Sequence, residues 1–579
     1  MQKLFFSSKL IGSLLCIAAM LASGCSQQPS VPDMVLKNGK IVTMDDAIPE
    51  AQAIAIAGDR IVAVGSDAKI EAMVGDNTEV IDLQGKLVIP GFIEGHGHFM
   101  GLGRAKMVLD LTQVHSWQEI VDMVAAAAQN AEPGTWIFGR GWHQEKWDSM
   151  PSKLVDSVPT HESLSAVSPD NPVYLTHASG HASFANAKAL SEAGIDSDTP
   201  DPDGGTIVRD AVGNASGLLR ENAQDLVSAA VSAYQKQRPA EAVEAELVKQ
   251  VRLAGQEALS KGITSFHDAG ASFRTIDFFK KLADEGKLPI RLYVMARGAS
   301  NEEMEEKLPD YRMIGYGNHF LTVRSIKRQI DGALGSHGAW LLEPYEDMPS
   351  STGLVLEPVD DITRTCEIAI EHGFQVNTHA IGDRANREVL DIYEKVFSEH
   401  PDKKDLRWRV EHAQHLHPDD VPRFSGLGVI ASMQGVHCTS DGPWIPKRLG
   451  DQRTEEGAYV WRTLWESGAV ITNGTDVPVE DISPLASYYS TVSRMMVNGE
   501  KFYPAQCLTR EEALKTYTIN NAYSAFEEEI KGSITPGKLA DLVVLSQDIM
   551  TVPEQDIPGT EIVYTVLGGK IAYENAANR

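Results

Sequence analysis

Gly85-Lys-Leu-Val-Ile-Pro-Gly-Phe-Ile-Glu-Gly-His-Gly-His98 organises the rest of the chain. The apolar run from Leu87 to Ile93 reads as a buried strand interrupted by Pro90-Gly91. Just past it stand His96 and His98. Residues two apart in an extended chain point the same way. The pair can therefore present two imidazoles on one face, with Gly97 leaving room for close backbone approach. Two neutral imidazoles on a stiff support suit a borderline metal such as zinc. A lone His-x-His is usually incidental, so the polar residues further along the chain carry the case.

Downstream, short apolar strands alternate with helical stretches. Strand candidates are Thr264–His267, Ile290–Met295, Ser325–Lys327, Gln375–His379, Trp408–His412, Val429–Met433 and Ala469–Asp476. Helical patterns cover Glu241–Lys261, Asp361–Gly373 and Ala385–Glu399. Together with the His96 strand these make eight β units in order. The predicted fold class is α/β: a (β/α)8 TIM-type barrel over residues 91–525, with its chemistry at the C-terminal strand ends. The gap between the first two strands is too long for a loop. It predicts an inserted subdomain at about 112–240, expected to cover the barrel mouth. Residues 33–90 and 526–579 both read as short strands with turns at Asn38-Gly39, Gly58-Asp59 and Gly568-Gly569. They predict one small β-sandwich built from both chain ends.

The polar residues then fall on one rim. His96 and His98 follow strand one, Lys327 ends strand four, His379 strand five, His412 strand six and Asp476 strand eight. Packing alone does not explain so many ligand-type residues at strand ends, and the set points to a metal centre.

Pro90–His98, Lys327–Ser336, Thr378–Arg384, Val410–Gln414, Gly474–Pro478 and Pro536–Leu545 are similar to motifs of the metal-dependent amidohydrolase superfamily. The nearest branch is the one that contains N-substituted formamide deformylases. The resemblance covers about residues 33–575; its motifs specify the superfamily but not a substrate. It implies that His96, His98 and Asp476 hold a first divalent ion, zinc foremost, and that His379 and His412 hold a second. It further implies that Lys327 can bridge them as a carbamate; as a free ammonium it cannot ligate a cation, and its other role is a neutralising charge or a substrate contact. Asp476 is then the general base that takes a proton from the attacking water and passes it to the leaving amine. His181 is implied to lie near a small-molecule substrate, with His337 and Gln434 as further contacts. His337 stands where relatives often carry Arg, so no relative's specificity transfers directly. The implied activity is hydrolysis of an amide or other non-peptide C–N bond. A dipeptidase or lactonase on the same scaffold, or a non-catalytic envelope binding protein, are the alternatives. A decayed enzyme would be expected to have lost part of the ligand set, which is complete here.

The rest of the sequence sets the context. The 579 residues carry a net charge of −28 and no basic stripe, which disfavours nucleic acid. Lys3 and Lys9, the apolar run Leu10–Ala22, then Ala22-Ser-Gly-Cys25 resemble a bacterial lipoprotein signal of residues 1–24 cut before a lipidated Cys25. Ala22 departs from the Leu usual there, with Leu21 one place earlier. Residues 25–32 read as a tether, and Ser26 does not mark inner-membrane retention. An exported chain on the periplasmic side of the outer membrane is expected, held by its lipid; a homodimer is compatible with the reading. Cys366, Cys438 and Cys507 lack framework spacing and read as small buried residues rather than disulfide partners or nucleophiles.

Overall fold

The computed structural model describes residues 31–144, 147–156, 158–177, 182–202 and 205–576. The expected signal with Cys25, and His181 in the insertion, lie outside these residues.

The barrel strands are β1 (Phe92–Gly97), β2 (Ile263–Ala271), β3 (Arg291–Ala296), β4 (Leu321–Gln329), β5 (Gln375–Ala380), β6 (Arg409–His412), β7 (Ile430–Gln434) and β8 (Ile471–Gly474). They pair in parallel and in chain order. Helices such as Val359–His372 and Asp383–Glu399 lay apolar faces on the outside; Ile362, Cys366, Ile370, Val389, Tyr393 and Val396 are buried there. Between β8 and β1 the described residues form no ladder, and three other contacts close the seam. Asp476 N–H donates to the His96 carbonyl at 2.7 Å, and His98 N–H to the Val477 carbonyl at 2.7 Å. The Asn521 amide donates to the carbonyls of Ile93 (2.6 Å) and Asn473 (2.9 Å). Two glycines permit this approach: a Cβ on Gly95 would stand 2.4 Å from the Asn473 carbonyl oxygen, and one on Gly474 would stand 2.6 Å from His96 N. Gly97, read as the residue of close backbone approach, faces the side chains of Phe266 and Val477 instead.

The break at Pro90-Gly91 separates two sheets. Leu87–Pro90 pairs antiparallel with Leu542–Leu545, and Phe92 opens the barrel. A four-stranded sheet from residues 34–82 faces a six-stranded sheet to which both ends of the chain contribute. Met34, Ile41, Ile54, Ile56, Val88, Leu542, Val544 and Val566 share one core between them. The buried Arg291–Asp541 ion pair, 2.7 Å, ties β3 to this sandwich.

The insertion begins slightly earlier than 112, because Leu109–Asp110 is already the edge of its own six-stranded sheet. Trp117, Trp142 and Phe184 fill one core of the insertion and Trp136 another. The Trp142 indole donates to the Leu175 carbonyl at 2.9 Å, which satisfies its polar edge inside that core. Among the described residues no helix is long and apolar enough to cross a membrane. Cys366 and Cys438 are buried and Cys507 partly so, and burial pushes the Cys438 thiol up to about 12, far from nucleophilic range.

Candidate metal centre

At the C-terminal rim the strand ends bring the predicted residues together. His96, on β1, is 1% exposed, and its Nε2 lies 3.6 Å from Asp476 Oδ1. His98 Nε2 reaches the same oxygen at 3.3 Å; its side chain is about one-third exposed and faces the opening. The His96 and His412 ring centroids are 4.6 Å apart, and those of His412 and His379 4.4 Å. Ligand atoms of His96, His412 and Asp476 all fall within 4.8 Å of one another, the tightest possible metal-ligating group among the described residues. Lys327 is 2% exposed with Nζ 3.4 Å from His96 Nε2, and among the described residues it forms no ion pair with a carboxylate.

Two of these residues owe their aim to unusual backbone. His412 has φ +77° and Asp476 φ +58°, the left-handed region that only a few per cent of non-glycine residues visit. Such strain costs about 1–3 kcal/mol per residue and persists only where surrounding structure enforces it. Here the seam bonds of Asp476 and the packing of β6 do so.

His96 and His412 each have one ring nitrogen committed to a protein partner. His96 Nδ1 lies 2.5 Å from Glu411 Oε2, and His412 Nδ1 2.7 Å from Gln434 Oε1. His379 differs: its Nε2 lies 3.5 Å from Asp331 Oδ1 without a hydrogen bond, and that carboxylate is held by N–H groups of Trp340, Ile381 and Gly382. Glu411 and Gln434 fix the tautomer and ring orientation of His96 and His412 and leave the other nitrogen of each for an ion. Gln434, expected at the substrate, is buried, and its NH₂ donates to the Ser432 carbonyl; both ends of its amide are engaged by protein. His337, also expected there, sits in the loop after β4 at φ +58°, 3.1 Å from Asp347, which also pairs with Arg448. His437 meets the Gln414 amide at 3.0 Å, and Asp441 accepts from Tyr459 at 2.7 Å.

The electrostatics suit a cation. Burial, with Lys327 beside it, lowers His96 to about 4. Burial likewise holds His379 and His412 well below the usual imidazole value, so all three imidazoles are neutral at pH 7. Burial alone would raise Asp476, but the neighbouring imidazoles of His98, His96 and His412 outweigh it and hold the carboxyl well below its ordinary range. Its Oδ1 is buried without a hydrogen-bond partner, as is a nitrogen of His379. Orphaned lone pairs converging from neutral imidazoles and one carboxylate fit a divalent ion, and this donor set suits zinc.

Glu411 and Asp331 were not singled out from sequence, although both lie in the quoted motifs. Alternation along a strand would aim Glu411 away from its neighbour His412. The left-handed turn at His412 breaks that alternation, so both reach His96. Glu411→Gln should therefore keep the fold and weaken metal affinity by about 10–100-fold, measured by competition with a metal buffer. Unchanged affinity would remove Glu411 from this supporting role.

Comparison with known proteins agrees with this geometry. The amidohydrolase family model matches residues 79–573. The chain is 34% identical over 555 residues to Protein LONG AFTER FAR-RED 3 of Arabidopsis thaliana, covering 94% of this chain and 92% of that one. It is 26% identical to an N-substituted formamide deformylase of Arthrobacter pascens, over 94% of this chain and 99% of the other. Among solved structures, an uncharacterised metal-dependent hydrolase from Pyrococcus furiosus superposes with a TM-score of 0.72 at 27% identity, covering 90% of this chain and 100% of that one. With a matched span that runs from the last strand of the N-terminal sheet through the barrel and its rim of histidines to the final strand of the sandwich, this chain belongs to the amidohydrolase family.

Proposed function

We propose that this hydrolase cleaves an amide or related C–N bond in a small non-peptide substrate, with one or two divalent ions, zinc foremost, held by His96, His98, His379, His412 and Asp476. The observation that carries the reading is the single buried oxygen, Asp476 Oδ1, facing His96 and His98 at 3.6 and 3.3 Å without a hydrogen-bond partner. When bound, the ion supplies Lewis acidity, which acidifies water and offsets charge on a carbonyl oxygen. Asp476, ionised, accepts the proton of the attacking water and delivers it to the nitrogen that leaves, which is otherwise a poor leaving group. His98 holds that carboxylate from the open side, and Glu411 and Gln434 keep the His96 and His412 imidazoles in their working tautomers. Lys327, a buried amine with no carboxylate ion pair among the described residues, would help to hold the ions if it were carboxylated. Lys327→Ala should then lose most activity and recover part of it with added short carboxylic acids; full activity without them would make Lys327 dispensable.

The substrate class is tested by a hydrolysis screen of N-substituted formamides, N-acyl amino acids, dipeptides and lactones on the metal-restored protein. The named Arthrobacter relative sets formamides as the first arm. Turnover confined to lactones or dipeptides would overturn the class, and no turnover by a metal-loaded protein on any arm would favour a binding role. The chain is further proposed to be exported and held at the outer membrane by lipid on Cys25. Cys25→Ser should release it into soluble fractions or leave it unprocessed; parental fractionation and migration would refute this.

A further inference from the structure

At the opposite end of the barrel the loops that lead into the strands enclose a cavity of about 200 Å³. Its lining includes Arg312, Arg324, Lys403 and Lys404, and its one acidic residue is Asp405. Asp405 is already neutralised by a two-pronged contact with Arg407, 2.8 Å on each side. None of Arg312, Arg324, Lys403 and Lys404 is paired with a carboxylate among the described residues. Four uncompensated cations around one cavity are unexpected in a chain of net charge −28.

Arg324 is the telling member. Its guanidinium lies over the Phe526 ring, 3.7 Å from the centroid, and Arg407 approaches the same ring at 4.6 Å. The ring thus holds two like charges close together at the cavity wall. Arg324 Nε is buried without a hydrogen-bond partner. Burial lowers its affinity for its proton, Arg312 and Arg407 add to this as like-charged neighbours, and Tyr293 and Glu527 offset it only in part. Phe374 and Leu406 supply an apolar floor.

We infer that this cavity binds the phosphate group of a small soluble molecule, with Arg324 as its anchor and Lys403 and Lys404 closing over it. Arginine forks match phosphate oxygens in geometry and charge, and a dianion is the species that balances several unpaired cations at once. The site is separate from the metal centre. Gly373, Lys403 and Lys404 belong to helix-to-strand connections at the N-terminal ends of β5 and β6, whereas the ligands stand at the C-terminal ends.

The test is phosphorus-31 NMR titration of inorganic phosphate with the metal-loaded chain at constant ionic strength, beside the variants Arg324→Met and Lys403→Gln/Lys404→Gln. Saturable binding is expected, weakened about tenfold or more in each variant, because each removes charge-assisted hydrogen bonds. The lysine pair is exposed and keeps the test sound should Arg324→Met fail to fold. Binding should persist in His96→Ala/His98→Ala, which excludes phosphate held by the metal centre. A second arm measures co-sedimentation of the unlipidated chain with phosphatidylglycerol vesicles. Absence of saturable phosphate binding, binding indifferent to both variants, or Arg324-dependent vesicle binding without phosphate binding would each overturn the proposal.

Discussion

Asp476→Asn is expected to fold normally, retain metal and lose turnover by about 10²–10⁴-fold, the usual contribution of a positioned acid–base group. The substitution preserves shape. The backbone N–H of residue 476 would still donate to the His96 carbonyl, so the β1–β8 seam should hold. What disappears is the carboxylate kept ionised by His98, His96 and His412. An amide cannot accept the proton of water and pass it to a leaving nitrogen. Turnover per bound metal is the quantity to measure, because a weaker ligand could also lower occupancy. Near-normal turnover per bound metal would take Asp476 out of the base role.

Replacing His96 and His98 together by Ala should cost more than any change to a supporting partner. Those partners are worth about 10–100-fold in metal affinity, so losing two ligands should exceed about 100-fold. Less than about half an equivalent of metal should survive purification, and turnover should vanish with it. His96 carries an added penalty. Its removal leaves the buried Glu411 carboxylate with Arg409, 4.0 Å away, as its remaining charged partner. Some loss of thermal stability should accompany the loss of metal. Stoichiometric metal in the double variant would refute the ligand assignment.

Much of the architecture was legible because it is periodic. The eight barrel strands alternate with amphipathic helices whose apolar faces are written at helical spacing, as in Val359–His372. His96, His98, Lys327, His379 and His412 lie on or just past these strands, so knowing the fold was enough to place them on one rim. The pairing of the two chain ends was also readable, since both ends carry short strands and turn residues rather than barrel units.

Gln434, Glu411, Asp331 and Arg324 were not legible in their roles, for a shared reason. Gln434 reads as a polar residue after a strand, and only the spatial position of the His412 ring shows that its oxygen is engaged. The role of Glu411 depends on one left-handed residue at the end of β6, which strand periodicity cannot register. The unpaired charge of Arg324 is visible only when the loops around it are in place and the one carboxylate they bring, Asp405, is engaged by Arg407. Strand order, the outer helix faces and the choice of candidate ligand residues followed from the sequence alone, because side-chain pattern and local backbone preference determine them. Which nitrogen of His96 and His412 faces the centre, which groups fix it there, and which cations remain uncompensated were decided by tertiary structure, because hydrogen bonds and charge balance depend on distances between residues far apart in the chain, such as His96 and Glu411, 315 positions apart.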